Sequence, residues 1–186
     1  RGDVATARAL LARAGADLSQ LRTAFYFNDE FRHRALAEGV ARQWRESVGL
    51  VATPTPLPFA DYLARGQGRP GLDGPFRFSW SLPFPDVDGY LFPLFSTERI
   101  GRDNFTRFSD AAVDEVLLRD ARRAQDPADR AIAYRRVTDL LCEAMPMIPL
   151  TTSLSRWSVA DRVGSASAAY LDGATGQPLL REFFLR

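Results

Sequence analysis

The sequence predicts an α/β fold, a mixed sheet with flanking helices. Three observations predict it. Apolar residues recur at helical spacing in four stretches. Short strand-like segments fall between them, among them the alternation Phe76-Arg77-Phe78-Ser79-Trp80. Clusters of glycine and proline separate the elements.

Residues 3 to 15 read as a helix, with Asp3 as its cap, Ala, Leu and Arg favouring it, and Gly15 ending it. Residues 21 to 27 alternate as a strand, and Asn28-Asp29 supplies turn chemistry. From 29 to 47 the pattern is helical again, with Leu36, Val40, Trp44 and Val48 four apart and Gly49 as the stop. Residues 50 to 53 read as a short strand. Pro54, Pro56 and Pro58 then enforce an extended connection, a short helix over 59 to 64 follows, and 66 to 75 form a surface loop.

The centre of the chain is the alternating segment from Phe76, read as a strand with one apolar face that stops at Pro83 and Pro85. Residues 86 to 95, with Tyr90, Phe92 and Phe95, read as a rigid, aromatic-rich loop suited to holding a small molecule. Two helices follow. One starts at Ser109-Asp110 and stripes Val113, Val116, Leu117, Ala121 and Ala124. The other is capped by Asp126, opens on Pro127 and stripes Ala133, Val137, Leu140, Leu141 and Ala144. Met147 to Thr152 reads as a short extended segment, and 156–160 and 179–185 as strands.

At 186 residues and 20.7 kDa the chain is read as one domain, 1–186, able to bury a core. Net charge is +1, from 24 basic residues, all arginine, interleaved with 23 acids. That balance gives no basic excess for a nucleic-acid partner. No apolar run reaches the 18 or so residues of a membrane span. The chain opens at Arg1 without a methionine and reads as a fragment or processed piece. Its single cysteine, Cys142, excludes an intrachain disulfide and a cysteine-built zinc site; it lies beside Leu141 and reads as buried packing. No metal-ligand spacing, phosphate-binding glycine loop or catalytic constellation is visible, so no cofactor and no enzymatic activity is expected. Asn104-Phe105-Thr106 has the form of a glycosylation acceptor.

Four stretches resemble, in order, the C-terminal lobe of the extracytoplasmic solute-binding proteins of peptide and nickel ABC transporters, the family 5 receptors. They are Ala7 to Gly15, His33 to Gly49, Trp80-Ser81-Leu82-Pro83-Phe84-Pro85-Asp86 running on to Ser96, and Asn104 to Leu150 with its paired helices and Met145-Pro146-Met147-Ile148-Pro149. The resemblance implies one lobe of a two-lobed, type II periplasmic-binding-protein-like fold, with the N-terminal lobe absent from this chain. It implies a receptor that closes on a peptide or peptide-like solute and delivers it to a membrane permease. The location it implies is extracytoplasmic, periplasmic or lipid-anchored.

Carried over residue by residue, the resemblance places His33 and Arg77 where family members approach a ligand carboxylate. The chemistry fits: His33 sits near a helix start, where free amides favour an anion, and a guanidinium fork suits a carboxylate. Each has a plainer alternative, a solvated histidine between Arg32 and Arg34 and an outward-facing sheet arginine. Trp80 is the expected ligand contact, by stacking or by lining the pocket, with core packing as its alternative. Ser81, Leu82, Pro83, Phe84 and Asp86 complete the expected binding segment. The family's oligopeptide and dipeptide receptors usually carry an aspartate three residues after this tryptophan, and it binds the ligand amine. Here that position is Pro83. Two other readings compete with a transport receptor: a ligand-sensing domain of a cytoplasmic transcriptional regulator with the same fold, and a hydrolase.

Overall fold

The structure is a computed structural model that describes residues 3–17, 20–152, 158, 160–164 and 183–185. It divides into two compact units, Arg1–Ser79 and Trp80–Arg186.

The first unit opens on helix α1 (Val4–Arg13), where the Asp3 carboxylate accepts from the Thr6 amide at 2.9 Å. Gly15, at φ +65°, lies just past its end. Strand β1 (Arg22–Asn28), helix α2 (Phe31–Val48) and strand β2 (Val51–Leu57) form a βαβ unit. The strands are parallel, Arg22 opposite Val51 and Asn28 opposite Leu57. Gly49 ends α2 in the left-handed conformation at φ 80°. The expected stripe of Leu36, Val40, Trp44 and Val48 is only half-buried. The fully buried positions are Ala37 and Ala41, one residue along, because small side chains let the helix approach Phe25, Phe27 and Ala52. Trp44 then stacks on Phe25 at 5.6 Å from the flank.

β2 runs through Pro54 and Pro56, where a connection was expected. The two sit at alternate positions, and the Leu57 carbonyl accepts the Asp29 amide at 2.8 Å. The odd-numbered residues of β2 therefore face β1, and both prolines turn their missing donors to the outer edge. Helix α3 (Phe59–Gln67) follows.

The expected strand from Phe76 is reduced to one rung. The Tyr26 amide donates to the Pro75 carbonyl at 2.9 Å and the Arg77 amide to the Tyr26 carbonyl at 2.8 Å. The next parallel rung would need the Arg77 carbonyl, which instead accepts the Tyr62 hydroxyl at 2.7 Å. Residues 77 to 82 then run on without forming a strand.

In the second unit the expected loop 86–95 is largely helix α4 (Asp88–Phe95), with Pro93 inside it. Gly89, Leu91, Pro93, Leu94 and Phe95 are buried in it; a helix apolar on most sides is a core helix, and that composition misled the loop reading. Asp110 caps α5 (Ala111–Glu115), accepting from the amides of Ala112 and Val113. A π-helical segment, Val116–Ala121, carries it on, and of the expected stripe Val113, Val116, Leu117 and Ala121 are buried and Ala124 is half-buried. Asp126 caps α6 (Pro127–Ala144) with two amides, Ala128 at 2.7 Å and Asp129 at 3.2 Å. Ala133, Tyr134, Val137 and Leu141 are its buried face. Cys142 is exposed, a correction: it lies about 100° round the helix from Leu141, past the edge of that face. Strands β3 (Val163–Gly164) and β4 (Phe184–Leu185) pair antiparallel, and β4 falls at the end of the expected strand 179–185. The strand expected over 156–160 lies mostly outside the described residues.

Leu117 is wholly buried, whereas Ile132 on α6 is 58% exposed. Leu117→Ala should therefore cost about 2–5 kcal/mol of stability, and Ile132→Ala about 0.5 kcal/mol or less. Urea unfolding of the two variants checks this.

Candidate functional site

In the first unit Glu30 links His33 and Arg77: it pairs with the histidine and acts electrostatically on the arginine. His33 lies in the first turn of α2, which leaves β1 by Asn28. Its Nε2 is 2.8 Å from Glu30 Oε2 and its Nδ1 is 3.3 Å from the Asn28 carbonyl oxygen. Both neighbours are acceptors, so the ring can satisfy both at once only with a hydrogen on each nitrogen. Arg77 is held by its main chain, through the Tyr26 and Tyr62 bonds, while its guanidinium is half-buried. Burial pulls the Arg77 pKa down, and Tyr62 and Glu30 partly oppose this. Tyr62 is itself buried, and burial raises its phenol well above the usual range. Glu30 and Tyr62 went unnoticed in the sequence. Glu30, three residues before His33, was legible as a helix-turn pair; nothing local announces Tyr62.

The second unit holds the segment Trp80 to Asp86 against the start of α4. Trp80 is half-buried, and its Nε1 donates to the Gly89 carbonyl at 2.7 Å. Pro83 and Phe84 rest on the Cα of Gly89. A methyl group on Gly89 would come within 3.2 Å of Pro83 Cδ and 3.3 Å of Phe84 Cζ, a tight fit that those side chains would have to yield to. Ser81, Pro83 and Phe84 are exposed and Leu82 is half-exposed.

Asp86 closes the segment. Arg130 on α6 donates to it through both terminal nitrogens at 2.9 Å each, and its Oδ1 also accepts the Asp88 amide at 2.8 Å. Hydrogen bonding from Arg130 holds the Asp86 carboxyl below the usual carboxylate range. Asp88 in turn accepts the Tyr134 hydroxyl at 3.0 Å and pairs with Arg122 at 3.3 Å. The Arg122 guanidinium lies 3.8 Å from the centre of the Phe92 ring. Arg130 and Arg122, more than forty and thirty residues from the segment they fix, have no local sequence signal.

Among the described residues no cluster of His, Cys, Asp and Glu could hold a metal ion. None of the candidate site's side chains lines the open groove bordered by Arg8, Leu11, Arg45 and Val48 between α1 and α2, or the one bordered by Ala35, Leu36 and Val40 on α2. Asn104 is wholly buried, and its Nδ2 donates to the carbonyls of Ser96 and Phe108, so the folded chain does not present it for glycosylation.

No protein-family model matches the chain. It is 28% identical over 169 residues to heme-binding protein A of Haemophilus influenzae, covering 87% of this chain and 29% of that protein. It is 27% identical over 120 residues to di/tripeptide-binding protein 1 of Pseudomonas aeruginosa, covering 64% of this chain and 22% of that one. These relatives are named for binding heme and small peptides, and this chain is similar to a fragment of each. The structure of HbpA2 from Haemophilus parasuis matches 99% of this chain and 36% of its own length at a TM-score of 0.76 and 24% identity, which shows the fold. The fragment therefore has the type II periplasmic-binding-protein-like fold expected from its sequence, as a partial lobe. It spans less than a third of the length of the curated relatives named.

The Asp86–Arg130 pair gives a pH signature. A carboxyl whose folded pKa is depressed adds stability that is present above its unfolded value, about 3.9, and is lost as pH falls through the folded value. Asp86→Asn should lower stability at neutral pH by no more than about 1 kcal/mol, since a third of each side chain stays in solvent. It should also flatten the loss of stability below about pH 4. Denaturation at pH 7 and pH 3 measures both.

Proposed function

We propose that this chain is the C-terminal, ligand-binding lobe of an extracytoplasmic solute receptor, periplasmic or lipid-anchored. Its N-terminal lobe lies in the rest of a longer protein, and the closed receptor delivers a peptide or peptide-like solute to an ABC permease. The observation that carries this is the homology to binding proteins of di- and tripeptides and heme over most of the chain. The relatives are binding proteins, which favours a binding role over an enzymatic one and lends nothing to the regulator alternative.

In this reading His33 and Arg77 hold a ligand carboxylate, with Tyr62 and Glu30 fixing them. Trp80 offers its ring to the solute, and Ser81, Leu82, Pro83 and Phe84 line its path. Asp86 serves the site by tying the segment to Arg130, which occupies its carboxylate. Removing Arg77 from the full-length receptor should weaken binding of a carboxylate ligand by about 1.5–3 kcal/mol, as for a hydrogen bond to a charged group. Calorimetry on Arg77→Ala checks this, and an unchanged affinity would make Arg77 an ordinary sheet arginine.

The solute class follows from Pro83, which has no charge to place against an ammonium group. A charge desolvated without a partner costs several kcal/mol. The receptor should favour solutes without a free α-amine at this point, such as N-blocked peptides, sugars or other neutral molecules. Competition between trialanine and N-acetyl-trialanine on the full-length protein tests it. A free-amine preference of tenfold, about 1.4 kcal/mol, would show that an anion is supplied elsewhere.

A further inference from the structure

Helix α4 contains an interior carbonyl whose i+4 amide is missing. In an α-helix the carbonyl of residue i accepts from the amide of residue i+4. For Gly89 that residue is Pro93, which has no N–H and whose ring crowds the carbonyl four residues back. Gly89 is buried, so water is a poor substitute. The partner is the indole of Trp80, whose Nε1–H reaches the Gly89 oxygen at 2.7 Å. Pro83 and Phe84 pack close to the same glycine.

We propose that Pro93 is a positioning residue for Trp80: by withholding an amide from Gly89 it reserves that carbonyl for the indole and so fixes how the ring is presented to the solute. The inference rests on the reading of Trp80 as a ligand contact, and it adds a residue that touches no ligand itself. With Pro93 replaced by a residue bearing an N–H, the helix satisfies Gly89 internally. The indole then competes with a backbone amide for the carbonyl, while the buried Pro93 ring is lost from the core, a loss offset by the better helix former. An interior proline removed from a helix tends to stabilise it. A merely structural proline would therefore affect stability alone, whereas a positioning proline separates stability from binding.

The test uses the full-length receptor with 15N-labelled indoles, the Trp80 signal being assigned as the one that Trp80→Phe removes. Without any ligand, Pro93→Ala should speed hydrogen exchange of the Trp80 Nε1–H at least tenfold. It should also weaken binding of N-acetyl-trialanine at least fivefold while Tm stays level or rises. Pro93→Leu repeats the test with a side chain nearer proline in bulk. An indole still protected as in the parent overturns the proposal, as does unchanged peptide affinity, or a fall in affinity that merely follows a fall in Tm. The underlying reading fails separately. If Trp80→Ala binds the peptide as the parent does, Trp80 is not a ligand contact, whatever its exchange shows.

Discussion

A chain with 12 prolines must put each missing backbone donor where no donor is needed, or supply a substitute. That constraint orders much of this structure. Pro54 and Pro56 lie on the outer side of β2, so the parallel ladder to β1 survives intact. Pro127 takes the first position of α6, where the amide has no intrahelical acceptor anyway. Pro75 gives only its carbonyl to Tyr26, which accounts for half of the single rung made there. Pro93 is the exception: it stands inside a helix, and a side chain from outside the helix answers it.

The parts of the fold legible in the sequence are those whose cause is local. Asp3, Asp110 and Asp126 cap helices because a carboxylate two or three residues before an amide can reach it, and Gly49 stops α2 because it enters the left-handed region without strain. What misled lay in long-range competition. The alternation from Phe76 to Trp80 has the period of a strand, but only one rung forms, and the Arg77 carbonyl that a second would use accepts the hydroxyl of Tyr62 on α3. Residues 88 to 95 looked like a loop because proline and aromatics crowd them. Nothing local reveals that Trp80 relieves the proline. The candidate site followed the same division: the residues were named from their order, and the partners that hold them, Tyr62, Gly89, Arg122 and Arg130, come from elsewhere in the chain.

The absence of lysine gives these partners a common character. A guanidinium can meet both oxygens of a carboxylate at once, as Arg130 does with Asp86, and can sit over a ring, as Arg122 does over Phe92. An ammonium offers neither geometry as well. The second unit thus fixes its exposed segment by oriented, planar contacts rather than by point charges.

That fixing bears on the solute class proposed for the receptor. The carboxylates nearest to Pro83 along the chain are Asp86 and Asp88. Arg130 engages both oxygens of the first, and Arg122 and Tyr134 engage the second. To reach toward an ammonium group, Asp86 would have to surrender two charge-assisted bonds and the Asp88 amide it caps. Each such bond contributes more than a neutral one, and their loss would also release the segment that Gly89 and Trp80 hold. Substituting Asp86 for the missing aspartate would dismantle the surface it was meant to serve. The proline at position 83 and the arginine at position 130 therefore act in the same direction. One removes the anion from the segment, and the other keeps the nearest replacement occupied.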